Sequence, residues 1–253
     1  MPQTTVVMPT YNEAENLPLM LKALLELPVE LHILVVDDNS PDGTGAIADS
    51  FAASHPEHVA VLHREGKGGL GPAYKAGFKR AIEMGADYLM QMDADFSHQP
   101  KYVPDLIAKA DEGYDMVIGS RWVRGGGVDV TWSWARKMLS WFANGIYVHT
   151  LLGIPASDCT GGFRLWRRET LLGMGLDRVR SNGYVFQVEI TYMAYRLGYK
   201  IAEIPIYFPD RERGQSKMGA TIILEAALRV WQVMLRHHSL NPQMRRQSEG
   251  KTL

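Results

Sequence analysis

Asp93 and Asp95 are the residues of this 253-residue chain whose types and spacing suggest chemistry most directly. They follow Tyr88 to Met92, an apolar run of the kind that fills a buried strand in a parallel sheet. The pair therefore stands where that strand runs out, and open α/β sheets bind ligands beyond the carboxyl ends of their strands. Two carboxylates one residue apart suit a shared hard divalent cation, magnesium or manganese, which completes its shell with water and substrate phosphates. An Asp-rich turn, in which the side chains bond their own backbone, uses the same residues. What surrounds the pair separates the two readings.

Two other apolar runs end in the same way. Thr5 to Met8 is stopped by Pro9 and leads into Thr10-Tyr11-Asn12-Glu13, and His32 to Val36 ends in Asp37-Asp38. One shared ligand crevice explains these three ends better than three unrelated turns. The glycine-rich run Gly66 to Gly71 lacks Gly-x-x-x-x-Gly-Lys-Ser/Thr, and no Gly-x-Gly-x-x-Gly follows the first strand. Those glycines predict a flexible turn whose backbone approaches a ligand, and they demote an ATPase or a nicotinamide enzyme. Glu189 lies in a helix predicted over Tyr184 to Leu197. A buried, hydrogen-bonded glutamate is common there, so it is given no catalytic role.

The elements that must position these residues alternate. Helices are predicted over Ala14 to Leu27, Thr44 to Ser54 and from Gly71 to Met84, with further strands over Val59 to Leu62 and Asp115 to Gly119. Such alternation gives βαβ units, hence an α/β fold with a mostly parallel central sheet and helices on both faces. Beyond Gly119 the texture changes. A helix over Trp132 to Thr150 carries Trp132, Trp134, Trp141, Phe142, Ile146 and Tyr147 beside Arg136 and Lys137, a mixture that suits either a membrane interface or a core-facing helix. Ile201 to Phe208 reads as a last strand, Asp210 to Gly219 as a mobile cationic loop, and Thr221 to His237 as an amphipathic helix. Residues 1–240 form one domain in this reading, with 1–120 as the half that carries the three strand ends and 121–240 as the half of changed texture, and 241–253 is a disordered polar tail.

Lysines and arginines (27) nearly balance aspartates and glutamates (28), so no basic field points to nucleic acid. The single cysteine, Cys159, excludes an internal disulfide and fits a reducing compartment. No signal-peptide pattern and no apolar run of about 20 residues is present, so no transmembrane helix is expected.

Read together, Pro9-Thr10-Tyr11-Asn12-Glu13, Val36-Asp37-Asp38-Asn39-Ser40-Pro41-Asp42-Gly43-Thr44, Asp93-Ala94-Asp95-Phe96-Ser97-His98 and Gly119-Ser120-Arg121 resemble the family 2 glycosyltransferases of the nucleotide-diphospho-sugar transferase (GT-A-like) fold. Ser157 to Arg164, Gly183 to Gln187 and Asp210-Arg211 to Lys217 narrow the resemblance to polyprenol-phosphate (dolichol-phosphate) mannose synthases. It implies inverting transfer of mannose from GDP-mannose to a polyprenol phosphate with Mg2+ or Mn2+ on Asp93 and Asp95. It also implies a nucleotide-sugar site of Pro9, Tyr11, Glu13, Val36, Asp38, Asp93, Ala94, Asp95, Arg121, Arg211 and Lys217. The acceptor phosphate is implied at Arg121, Arg136 and Ser140, and catalysis at Asp95, Arg121, Arg211 and Lys217. Members without transmembrane helices act peripherally at a membrane surface, here the cytoplasmic face, alone or with a separate membrane-anchoring protein.

Three alternatives stay open at this point. A sibling transferase would use UDP-glucose or another sugar nucleotide on the same lipid. A nucleotidyltransferase also uses paired carboxylates and magnesium, but would carry a glycine- and arginine-rich loop where Pro9 to Glu13 stands. A binding module that merely kept the fold would have no need of every charged position.

Overall fold

In a computed structural model of the protein, residues 2–142, 147–209 and 220–246 are described, with all side chains save those of residues 135, 136, 184 and 220–227. The strands are β1 (Thr4–Thr10), β2 (His32–Asp37), β3 (Val59–His63), β4 (Tyr88–Gln91), β5 (Met116–Ser120), β6 (Gly127–Val128), β7 (Arg164–Arg167), β8 (Ile201–Pro205) and β9 (Tyr207–Phe208). The helices are α1 (Leu17–Leu25), α2 (Thr44–Ser54), α3 (Leu70–Glu83), α4 (Val103–Asp111), α5 (Trp134–Trp141), α6 (His149–Leu152), α7 (Arg168–Met174), α8 (Gly183–Arg196) and α9 (Ala220–His237). Seven strands make one sheet in the order β3-β2-β1-β4-β7-β5-β8, parallel except for β7, and β6 pairs with β9 in a small parallel ribbon.

The strands of the first half are largely apolar because both of their faces are covered. Val7, Leu34, Val36 and Leu89 point into one core layer with Tyr74 and Phe78 of α3 and Phe186 of α8. Val6, Met8, Ile33, Val35 and Met90 point into the other, with Leu17, Leu21 and Leu24 of α1 and Leu106 of α4. A Cβ on Gly77 would lie 2.3 Å from Val7 Cγ1 and 2.9 Å from Val36 Cγ2, so α3 approaches β1 and β2 as closely as only glycine allows.

Several expectations need correction. Pro9 does not stop β1 but lies inside it, aligned with Val36 of β2. The register with β4 ends at Val7, so no ladder on that side needs the N–H that proline lacks. No strand is expected between Gly119 and Ile201, yet Arg164 opens β7, antiparallel between β4 and β5. The last strand is split at Ile206, whose N–H turns to the Ser120 carbonyl (3.0 Å). Trp132 precedes α5 rather than joining it, and is buried edge-on against Phe208. The polar tail begins ordered. Residues 242–244 form a short 3-10 turn, Arg245 reaches the carbonyls of Leu197 and Gly198 (2.7 and 2.6 Å), and Arg246 pairs with Asp177 (2.6 Å).

Candidate active site

Strand order reverses at β1, which has β2 on one side and β4 on the other, and this switch point is where a doubly wound sheet opens a crevice. Tyr11 and Glu13 follow β1, Asp37 ends β2 with Asp38 after it, and Asp93 and Asp95 follow β4. Among the described residues, the non-glycine positions with left-handed backbone are Asn12 (φ 61°), Asn39 (φ 56°) and Phe96 (φ 61°), one in each of the same loops. Asparagine tolerates that region, whereas phenylalanine there costs of order 1–3 kcal/mol and must be held by its neighbours. The residues on either side of Phe96 do so: Asp95 Oδ1 accepts from the Ser97 N–H (3.1 Å) and hydroxyl (2.5 Å).

The loops after β1 and β2 are stitched together. Asn12 N–H donates to Ser40 Oγ (3.1 Å), Glu13 N–H to Thr44 Oγ1 (2.9 Å) and Ala14 N–H to Asp42 Oδ2 (3.0 Å). Burial pushes the Asp42 carboxyl up, but its bonds from Thr44 and Ala14 outweigh this and hold it below the ordinary value. Asp37 is fully engaged in the same fabric, accepting from Thr10 (3.1 Å) and Ser40 (2.6 Å). Asp38 instead pairs with Arg64 through one oxygen and accepts the Gly68 N–H (3.2 Å) through the other. The neighbouring Lys67 holds its ammonium 3.9 Å from the centre of the Tyr11 ring. Val36 has its side chain buried in the core, so any contact with a nucleotide would have to come from its peptide.

Asp93 and Asp95 stand beyond β4 as expected. Tyr74 donates to Asp93 Oδ1 (3.3 Å), and burial together with that carboxylate keeps the phenol well above its ordinary pKa, hence neutral. His98 Nδ1 accepts the Asp93 N–H (2.9 Å), and its ring stacks on Phe163 (5.0 Å) and meets Phe208 edge-on (6.0 Å). Arg121 lies over that same Phe208 ring (5.3 Å), so His98 and Phe208 link the carboxylate pair to the arginine. Oxygen donors of this kind fit magnesium or manganese. Among the described residues no cluster of three or more His, Cys, Asp or Glu could hold a metal.

Arg121 has a partner that the spacing did not reveal. Asp158, fully buried, receives Nε and Nη2 of Arg121 at 2.7 Å each, together with the Arg121 and Gly161 N–H groups (3.1 and 3.0 Å). Burial raises the Asp158 carboxyl, but Arg121 prevails and holds it below the ordinary range. The pair is a fork in which two parallel bonds fix the guanidinium plane. Cys159 next to it is buried, which pushes its thiol up to about 12 and removes it as a nucleophile at neutral pH. Ser140 is half-buried on α5, and the Arg136 side chain, Arg211 and Lys217 lie outside the described residues. His98 and Asp158 both stand in motifs read from the sequence. Only the partner across the chain gives each its role.

The chain matches the model of the family described as "Glycosyl transferase family 2" over residues 5–173. It is 47% identical over 228 residues (90% of this chain, 85% of the relative) to the polyprenol monophosphomannose synthase of Mycolicibacterium smegmatis. It is 48% identical over 240 residues (94% and 97%) to the undecaprenyl-phosphate mannosyltransferase of Micrococcus luteus. Among solved structures it is similar to glucosyl-3-phosphoglycerate synthase of Mycobacterium tuberculosis in complex with Mn2+, UDP and phosphoglyceric acid. That likeness has a TM-score of 0.64 at 17% identity and covers 94% of this chain and 79% of that one, which shows a shared fold.

Proposed function

Because the chain belongs to glycosyl transferase family 2, and is therefore a glycosyltransferase, we propose that it transfers mannose from GDP-mannose to a polyprenol phosphate. The observation that carries this reading is the 47–48% identity to two relatives whose names state mannose transfer to a polyprenol phosphate. In the step itself, a phosphate oxygen of the acceptor bonds to C1 of mannose as the C1–oxygen bond to the diphosphate breaks with inversion. GDP leaves with the electron pair. The acceptor phosphate is largely ionised near neutral pH, its second pKa being about 6, so no general base is required.

The residues divide the work by position. Tyr11, Glu13 and Asp38 take the nucleoside at the ends of β1 and β2, with Pro9, Val36 and Ala94 forming the floor. Asp93 and Asp95 would hold a divalent cation, magnesium or manganese, which supplies positive charge against the departing diphosphate. Arg121, its plane set by Asp158, faces the acceptor phosphate together with Arg136 and Ser140, while Arg211 and Lys217 cover the diphosphate. Trp134 and Trp141 of α5 and Leu228, Trp231 and Leu235 of α9 are exposed, and Lys137 and Arg229 lie among them. Aromatics mixed with cations suit peripheral attachment to a membrane, here its cytoplasmic face, alone or through an anchoring partner. No described helix is long and apolar enough to cross one.

The experiment incubates the protein with labelled GDP-mannose and a short polyprenol phosphate and follows charged glycolipid. Unlabelled GDP-mannose is expected to compete and UDP-glucose to leave the label untouched. No glycolipid from labelled GDP-mannose, with labelled UDP-glucose giving it instead, would move the reading to a sibling sugar.

A further inference from the structure

We infer that Asn182 is a positioning residue for the nucleotide pocket, holding the Gly68 peptide in place beneath Asp38. The inference rests on the nucleoside being taken by Tyr11 and Asp38. Asn182 is the N-cap of α8, and its Oδ1 accepts the N–H of Gly183 at 2.7 Å. A cap needs only an acceptor, and serine, threonine or aspartate would serve as well. Asn182 does more. Its Oδ1 also accepts the N–H of Gly71 (3.0 Å), which is 111 residues away in sequence, and its Nδ2 donates to the Gly68 carbonyl (3.1 Å). Only asparagine among the good caps carries its acceptor and its donor on separate atoms, so that one can reach Gly71 and Gly183 while the other reaches Gly68.

The glycine-rich strap is shaped to receive this side chain. Gly69 has φ +93°, and a Cβ there would lie 2.3 Å from Asn182 Nδ2, so both conformation and space demand glycine. The result is a peptide held from two sides. Gly68 gives its N–H to Asp38 Oδ2 and takes the Asn182 amide at its carbonyl. Lys67, the preceding residue, is thereby kept over Tyr11. Asn182 is itself held from behind, because the N–H groups of Arg180 and Ser181 donate to buried Glu189 (3.0 and 2.6 Å). The run Gly66 to Gly71, which as sequence predicts a flexible turn, is thus a clamped one. Without the clamp its glycines would have to be ordered when nucleotide binds, and that entropy would be subtracted from affinity.

Asn182→Asp tests this directly. The carboxylate still accepts from Gly183 and Gly71, and a negative charge suits a helix N-terminus, so the cap survives and the melting temperature should fall less than in Asn182→Ala. It no longer donates to Gly68. GDP-mannose and GDP should then both bind about tenfold more weakly by calorimetry, on the scale of one lost hydrogen bond. KM for GDP-mannose should rise while kcat at saturation stays level. Asn182→Ala should show the same affinity loss together with a lower melting temperature. Equal affinities for Asn182→Asp and the unaltered protein, or a fall in kcat with KM unchanged, would overturn the inference. If the unaltered protein binds no GDP-mannose, the nucleoside assignment fails and this inference with it.

Discussion

At the scale of single residues, two buried aspartates have opposite tasks. Asp95 accepts from Ser97 through one oxygen, and an asparagine would keep an acceptor there. Asp95→Asn should therefore melt normally, yet bind GDP-mannose no better with magnesium than with EDTA and lose nearly all turnover. Asp158 is buried under Arg121, itself only 10% exposed, and asparagine there would leave that charge without its counter-ion. Asp158→Asn should cost about 3–5 kcal/mol of stability by denaturant titration, because a buried pair is expensive to half-remove. Similar stabilities for the two variants would show that the assignments are wrong. The sequence made Asp95 legible because its neighbour and its strand are local. Asp158 was not legible as the partner of Arg121, because 37 residues separate them and no periodicity joins them.

At the scale of elements, α8 and α9 are joined by one carboxylate. Glu189 accepts from His237 Nε2 (2.8 Å) and Arg236 Nη1 (2.6 Å) of α9 as well as from Arg180 and Ser181. Burial alone would raise its carboxyl, but the bonds from His237, Ser181 and Arg236 prevail and bring it down to about 2. A folded value below the ordinary one means stability that is complete above roughly pH 5 and is lost as pH falls toward 2. Glu189→Gln should flatten the fall of melting temperature between those limits. It should not abolish the fall, since Asp42, Asp158 and Asp177 are also lowered. An acid limb unchanged in Glu189→Gln would remove this carboxylate from the account. The alternating strands and helices of the first half were readable because each strand is an uninterrupted apolar run. Strand β7 was not, since Arg164 interrupts its pattern. That arginine is fully buried, bonding the carbonyls of Cys159, Gly161 and Gln187 and the hydroxyl of Thr191, and burial lowers it to about 10.

At the scale of the molecule, α9 is apolar on two sides. Val230 and Val233 pack inward while Leu228 (62% exposed), Trp231 (48%) and Leu235 (64%) face out, and Trp134 on α5 is 75% exposed. Mixing the protein with anionic vesicles should float it, and Trp231→Ser with Leu235→Ser should weaken that attachment, as should added salt. No flotation of the unaltered protein would leave these faces to a partner protein. The aromatic composition suggested such a surface, but it is the fold that turns Trp132 inward and Trp134 outward. The position of β7 also bears on biogenesis. β1 to β4 emerge first from the ribosome and can pair in their final order, yet the outer edge of β4 has no neighbour until Arg164 to Arg167 has been translated. Until then that edge is a template for pairing with other chains, the hazard of any open strand. A release of synthesis before residue 164 should therefore yield a product that aggregates, whereas the nascent sheet closes once β7 slots between β4 and β5. Residues 1–120 thus contain most of the crevice and yet lack the strand that joins β4 to β5.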